Sequence, residues 1–203
     1  MTRKVLLLAI TVPVLLCAQT VDMTILQGKM SPTSENPPVV TTAVGYGEAA
    51  FHTRRGTNGT LTSATIDFHV TYYLGQAETL TGMHIHRGAA GANGPIVLDP
   101  RFERTPVPAG NGVIFKQMTV TDPAQLEIVQ QVLDNPAGFY MNVHAATAPG
   151  GIMRAQLRRT LDAMVTSSQT QSNTRLESIE KGVEFIQLTI TAIARRLGIV
   201  PGQ

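Results

Sequence analysis

TGMHIHRGAAGANGP at residues 81–95 and GFYMNVHAATAPGGIMRAQL at residues 138–157 are two segments of similar design. Each begins as a short apolar strand that ends in histidine, and each then enters a glycine-rich turn. Successive side chains of a strand point to opposite faces. In the first segment His84 and His86 therefore share one face, and the apolar residues that alternate with them share the other. We predict that the apolar face enters the protein core and that the histidine face lies outside it.

The second segment follows the same alternation. Tyr140, Asn142 and His144 lie on one face of its strand, and Arg154 and Gln156 alternate with apolar residues after the turn. If the apolar residues of both segments pack into one core, the polar residues must emerge together from the sheet. We therefore predict one polar site. The predicted core contains Met83, Ile85, Met141, Val143 and Leu157.

Several motifs, in this order along the chain, resemble those of the CHRD (chordin-type) domain family. An early Glu-Asn-Pro-Pro-Val at residues 35–39 is followed by His-Ile-His before a Gly-Ala-Ala-Gly turn. The next motifs along the chain are Asn-Pro shortly before Phe-Tyr, and then Asn-Val-His. The last motif is Pro-Gly-Gly-x-x-Arg-x-Gln-Leu, which contains Gly150 and Gly151. The resemblance covers residues 21–159.

Two residues depart from the family pattern. Ile152 replaces a usual glutamate after the two glycines, and Ala155 replaces a usual glycine. The resemblance implies an extracytoplasmic, β-rich module that binds an unknown extracellular or periplasmic ligand and has no established biochemical activity. We therefore expect a non-enzymatic binding module.

Alternating runs and dense turn signals also predict the fold class. Glycine and proline clusters separate eight candidate strands, at residues 21–26, 39–51, 60–74, 79–86, 94–98, 113–120, 138–144 and 151–157. This pattern predicts an all-β fold, an antiparallel Greek-key β-sandwich of superoxide-dismutase-like or immunoglobulin-like type. One short helix is inserted, because Asp122 can cap it, Pro123 suits its first position and Asn135-Pro136 ends it.

The three histidines admit two interpretations. Neutral imidazoles suit Zn²⁺ and Cu²⁺, so His84, His86 and His144 are candidate ligands of a copper or zinc site. The arrangement is similar to that of copper–zinc superoxide dismutases, which place a His-x-His on a sandwich strand and an arginine after a glycine-rich loop. In the alternative, the imidazoles bond to backbone carbonyls and pin the two glycine-rich turns.

Arg154 and Gln156 also admit two interpretations. The planar donor fork of arginine can bind an anion, or it can pair with a carboxylate of the same domain. The sequence has neither a Gly-x-Ser-x-Gly motif nor a phosphate-binding loop. We therefore expect a binding function, with a histidine-rich metal-binding protein as the alternative.

The amino terminus has the pattern of a secretory signal. Two basic residues precede an apolar run over residues 5–16, and the small Ala18 offers a cleavage site. The run is too short to span a membrane. We predict a signal peptide over residues 1–18 and a secreted or periplasmic mature chain without a transmembrane segment. A lipid anchor on Cys17 is the alternative.

The composition of the mature chain excludes further classes. Removing the signal takes away two of the 16 basic residues and none of the 14 acidic ones, which leaves a formal net charge of zero. No large electrostatic field then attracts nucleic acid, so we expect no nucleic-acid partner. Cys17 is the single cysteine of the chain. Disulfides and thiolate metal sites are therefore excluded after cleavage.

The last quarter of the chain has a different character. Polar residues fill 166–174, and apolar residues then recur at alternating spacings of three and four, as in a coiled coil. We predict a sandwich domain over residues 19–160, a linker over 161–174, an amphipathic helix over 175–198 and a tail over 199–203. We expect this seam to form a homo-oligomer, although the helix could instead pack on its own domain. The seam comprises Leu176, Ile179, Val183, Ile186, Ile190, Ile193 and Leu197.

Overall fold

The computed structural model describes residues 20–160. The predicted signal peptide at residues 1–18 and the predicted linker, helix and tail at residues 161–203 lie outside the described residues. The elements, numbered in chain order, are β1 (Thr20–Met30), β2 (Val44–Arg55), β3 (Leu61–Leu74), β4 (Glu78–Arg87), β5 (Ile96–Leu98), β6 (Thr105–Val107), β7 (Gly110–Val120), α1 (Pro123–Asp134), β8 (Phe139–Ala145), β9 (Ala148–Gln156) and β10 (Arg158–Arg159).

The strands form two antiparallel sheets. The first has the order β10-β1-β2-β3-β7, and the second has the order β5-β4-β8-β9 with β6 also paired to β4. The chain enters the second sheet after β3, returns to the first for β7, and crosses again through α1 to reach β8. An all-β fold of antiparallel sheets with one short inserted helix is therefore confirmed. The Greek-key connection stays a prediction.

The two sheets pack face to face around one hydrophobic core. On β3, Ile66, Phe68 and Val70 are fully buried, whereas the residues between them point away from the core. The close approach of the sheets is visible at Gly47 on β2, where an added Cβ would lie 2.8 Å from Sδ of Met141 on β8. All five predicted core residues are fully buried: Met83, Ile85, Met141, Val143 and Leu157.

All eight predicted strands overlap observed strands, but their ends differ. β2 begins at Val44 rather than at residue 39, because the N–H of Val39 donates to the carbonyl of Pro32 in the preceding turn. At its other end β2 continues to Arg55, since it pairs with β3 as far as Leu61. The short strands β6 and β10 were not predicted, because three and two residues are too few for alternation to be read.

The helix α1 has the predicted boundaries. The Asp122 side chain accepts a hydrogen bond from the backbone N–H of Gln125 at 3.0 Å, as an N-cap residue should. Its buried face includes Leu126, Val129 and Leu133, which recur at spacings of three and four residues. Between residues 20 and 160, no helix is long and apolar enough to cross a membrane.

Candidate functional site

The structure brings the three predicted histidines together on the outer face of the second sheet. β4 and β8 pair so that His84 lies opposite Asn142, His86 opposite Tyr140, and Gly82 opposite His144. The centroid of the His84 ring lies 5.8 Å from that of His86 and 5.1 Å from that of His144, and the latter two are 5.4 Å apart. One nitrogen from each ring lies within 4.8 Å of one from each of the others.

Two of the three imidazoles bond to backbone carbonyls of the glycine-rich turns. Nδ1 of His86 is 3.0 Å from the carbonyl oxygen of Gly94, and Nδ1 of His144 is 2.9 Å from that of Pro149. A carbonyl oxygen can only accept, so both Nδ1 atoms carry the hydrogen. The hydrogen bonds expected if the histidines pin the two glycine-rich turns are therefore present. They also fix the tautomer of each ring.

These tautomers leave two lone pairs facing each other. Nε2 of His86 and Nε2 of His144 are 3.3 Å apart, and each is an acceptor when its ring is neutral. Only a proton or a cation between them can make this approach favourable. A proton is disfavoured, because burial lowers the pKa of His86 to about 4, despite the opposing effect of its bond to Gly94. Burial also lowers the pKa of His144.

His84 completes the cluster from the other side. Its Nε2 lies 3.6 Å from a carboxylate oxygen of Asp99, whereas its Nδ1 is buried and has no hydrogen-bond partner among residues 20–160. Burial lowers the pKa of His84, and the neighbouring His144 lowers it further while Asp99 opposes both. Each of the three rings thus has one nitrogen near an oxygen acceptor and one without such a partner.

Tyr140 connects the histidine cluster with Arg154. Its ring stacks on His86 with 4.9 Å between centroids and 8° between planes, and the guanidinium of Arg154 lies 4.6 Å from the Tyr140 ring centroid. The Tyr140 hydroxyl accepts a hydrogen bond of 3.3 Å from the N–H of Gly94. Because the carbonyl of Gly94 accepts from His86, Tyr140 helps to hold both the ring of His86 and its acceptor.

Arg154 fastens two loops to the outer face of β9. Its Nε donates to the carbonyl of Ser34, and its Nη1 donates to the carbonyl of Ala92 at 3.2 Å and to Oδ1 of Asn93 at 2.9 Å. Glu35 is its carboxylate neighbour, with Oε2 at 3.8 Å from Nε. Glu35 was not among the predicted site residues. Its position in the Glu-Asn-Pro-Pro-Val motif was the feature of the sequence that could have indicated it.

The remaining predicted site residues stabilise the turns around the cluster. Gln156 donates from Nε2 to the carbonyls of Gly88 and Phe139, both at 2.8 Å. The amide of Asn142 donates to the carbonyl of Gly150 at 3.3 Å. Gly151 has φ +132 and lies against the side chains of Asn142 and Glu35, so a side chain at this position would be strained and would clash.

These features define a class of protein: an all-β module of two facing sheets with a buried polar cluster on the outer face of one sheet. The family model described as CHRD domain matches residues 26–157. The chain therefore belongs to the CHRD domain family. No curated protein and no solved structure matches the chain.

Proposed function

We propose that this CHRD domain is a metal-binding module in which His84, His86 and His144 hold a Zn²⁺ or Cu²⁺ ion. One observation carries the proposal: in each ring one nitrogen has an oxygen neighbour and the other has none. Metal-bound imidazoles characteristically have this arrangement, because an oxygen acceptor at the second nitrogen orients the ring. The acceptors of His86 and His144 are the carbonyls of Gly94 and Pro149, and the oxygen neighbour of His84 is the carboxylate of Asp99 at 3.6 Å.

The spacing of the rings fits such an ion. Two nitrogens at the usual 2.0–2.1 Å from a tetrahedral zinc are about 3.3 Å apart. The two Nε2 atoms of His86 and His144 are 3.3 Å apart without any adjustment. Across the cluster the nitrogens lie within 4.8 Å of one another, so a small movement of the His84 side chain would complete the set. Three neutral imidazoles also suit the borderline metals Zn²⁺ and Cu²⁺ better than Mg²⁺ or Ca²⁺.

The proposed activity is binding, without a chemical reaction. An ion held by three protein ligands keeps a coordination position for a further group. The chain's own residues would supply orientation: Gly94 and Pro149 accept hydrogen bonds from His86 and His144, and the ring of Tyr140 stacks on His86. The carboxylate of Asp99 attracts the His84 ring electrostatically from 3.6 Å. The ligand-free rings tend to be neutral because burial lowers the pKa of all three, and a metal requires them in that form.

Metal titration of the mature protein, without a histidine tag and after chelator treatment, tests the proposal. We expect one Zn²⁺ or Cu²⁺ per chain by calorimetry and elemental analysis. His84→Ala, His86→Ala and His144→Ala should each weaken binding by roughly 100-fold or more, beyond the 10- to 100-fold typical of losing a group that only orients a ligand. His69→Ala is the matched control, since His69 is exposed on the other sheet. Equal weakening in the control, or no binding at micromolar metal, would contradict the proposal.

We also propose that the domain works outside the cytoplasm and in several copies per assembly. The sequence supports both parts, through the signal pattern of residues 1–18 and the apolar seam from Leu176 to Leu197. Intact mass of the exported protein should show a chain that begins at Gln19. A diacylated Cys17 would instead establish the lipid-anchored alternative.

A further inference from the structure

A second candidate site lies beside Arg154, in a cavity of about 440 Å³. It is located where β1 meets β9, since Lys29 of β1 and Arg154 and Gln156 of β9 line it. The loop that follows β1 and the turn that follows β4 form its other walls. Its lining includes Lys29, Glu35, Gly91, Arg154, Gln156 and Arg158.

The cavity carries an excess of positive charge. Three cationic side chains line it, those of Lys29, Arg154 and Arg158, against the single carboxylate of Glu35. Lys29 and Arg158 are exposed, and neither forms an ion pair with a carboxylate of residues 20–160. The chain as a whole has almost balanced charge, so this concentration of cations is local.

The buried guanidinium of Arg154 has a donor group to spare. Its side chain is only 4% exposed, and its Nη2 has no hydrogen-bond partner in the part of the chain that the structure describes. Leaving a buried charged donor unpaired is costly. Nε and Nη1 already donate to the loops, so the part of the positive charge that Nη2 carries is not compensated by an acceptor among residues 20–160.

Glu35 is a weak counterion for Arg154. Its nearest carboxylate oxygen is 3.8 Å from Nε, beyond hydrogen-bond distance. Burial raises the pKa of Glu35 to about 7, although Arg154 and Asn142 both oppose this effect. Near neutral pH a substantial fraction of the carboxyl groups is therefore uncharged, and the positive charge of Arg154 is then incompletely balanced.

We infer that the cavity binds the oxyanionic group of a small molecule, either a carboxylate or a tetrahedral oxyanion such as phosphate or sulfate. The incompletely balanced charge of Arg154 attracts the oxyanion from the inner wall, and the exposed Lys29 and Arg158 contact it from the outer part. Arg158 suits this contact because the donors of an arginine match the geometry of both oxyanion types. A volume of about 440 Å³ is also within the range of small-molecule sites. This inference is independent of the proposed metal site.

Titration of the metal-free mature protein with sodium acetate, phosphate and sulfate, at constant ionic strength, tests the inference. Nuclear magnetic resonance should show saturable shifts of the Gly91 amide and the Arg154 Nε–H signal with at least one of the three anions. The double variant Lys29→Gln/Arg158→Gln should weaken binding about 10-fold, since it removes two exposed attractive charges. Whichever anion binds tightest identifies the class of ligand.

The control is Arg104→Gln, which removes one exposed cation outside the cavity. It should leave the anion affinity within about 2-fold of the original value, as expected for a solvent-screened charge that does not line the cavity. Equal weakening by the control and the double variant would overturn the inference, because it would mean non-specific attraction. The absence of saturable shifts with all three anions would also overturn it. The zinc affinity of the double variant should equal that of the original protein. A failure of the anion site can therefore be distinguished from a failure of the metal site.

Discussion

Gly82 lies directly beneath the imidazole of His84: a Cβ added to Gly82 would fall 2.5 Å from Cε1 and 3.2 Å from Nε2 of that ring. The two residues are on the same face of β4, and Gly82 pairs with His144 across the sheet. The missing side chain at Gly82 therefore provides the space in which the His84 ring packs beside His144. Any larger residue at this position must displace the ring.

Gly82→Ala should weaken zinc or copper binding by about 10- to 100-fold, the range for losing correct orientation of one ligand. The stability cost should be about 1–2 kcal/mol, because the clash is with a side chain that can move. Gly150→Ala is the control, since an added Cβ there meets nothing within 4 Å. Calorimetry and urea denaturation give the two quantities. Unchanged metal affinity in Gly82→Ala would show that the position of the His84 ring does not matter for binding.

Tyr140 should contribute through its ring more than through its hydroxyl. Tyr140→Phe keeps the stacking on His86 and the contact with Arg154. It removes one hydrogen bond with the N–H of Gly94, so we expect the unfolding free energy to fall by about 1 kcal/mol. Tyr140→Leu also removes both ring contacts, and its loss should be about 1–3 kcal/mol larger. Urea denaturation of the two variants measures the difference. Equal losses would mean that the ring contacts contribute nothing.

Glu35 should make the domain less stable as the pH rises. Its pKa is raised from 4.5 to about 7 on folding, so between these values the folded state binds more protons than the unfolded state. The stabilising contribution of Glu35 to the unfolding free energy is fully present below pH 4.5 and is lost as the pH rises through 7. The shift corresponds to at most about 3 kcal/mol.

Glu35→Gln should remove this dependence. Relative to the variant, the original protein should lose about 1–3 kcal/mol of unfolding free energy between pH 5 and pH 8. Urea denaturation at several pH values measures the difference in unfolding free energy between the original protein and the variant. The histidines are present in both proteins, so their contribution to the pH dependence cancels in this difference. Glu103→Gln provides the control at an exposed carboxylate. A difference that stays constant with pH would contradict a raised pKa of Glu35.

Alternation along each strand was sufficient to predict the core and the shared face of the histidines. It identified Met83 and Ile85 as buried and placed His84 and His86 together, because these relationships depend only on the period of a strand. The third imidazole, that of His144, joins them because β8 pairs directly with β4. The similarity of the two segments makes that pairing plausible, but alternation within a strand contains no information about which strand lies beside it.

The residues that complete the site could not be predicted, because they act across large sequence separations. Glu35 reaches Arg154 only after the loop following β1 folds over β9, and Asp99 reaches His84 from beyond β5. Gly82 was overlooked for a different reason. A glycine in a strand usually marks a bulge or a close approach, and only the packed structure shows that the approaching group is His84.

The C-terminal seam predicts the assembly of the mature chain. The spacing places Leu176, Val183, Ile190 and Leu197 at heptad position a, and Ile179, Ile186 and Ile193 at position d. Isoleucine at d disfavours a parallel dimer and favours three or four strands. A lone helix of this length is only marginally stable in water, so burial of the apolar stripe against other copies is favourable. Several CHRD domains would then be joined, and weak ligand binding would gain from avidity.

Light scattering on residues 19–203 and on a chain that ends at Thr160 tests this prediction. We expect a trimer or tetramer for the longer chain and a monomer for the shorter one. Ile186→Lys, which places a charge at position d, should convert the longer chain to monomers, whereas Gln187→Lys beside it should not. If the longer chain is monomeric at micromolar concentration, the apolar stripe is buried against its own domain. In that case the truncated chain should expose apolar surface and bind a hydrophobic dye more strongly than the longer chain.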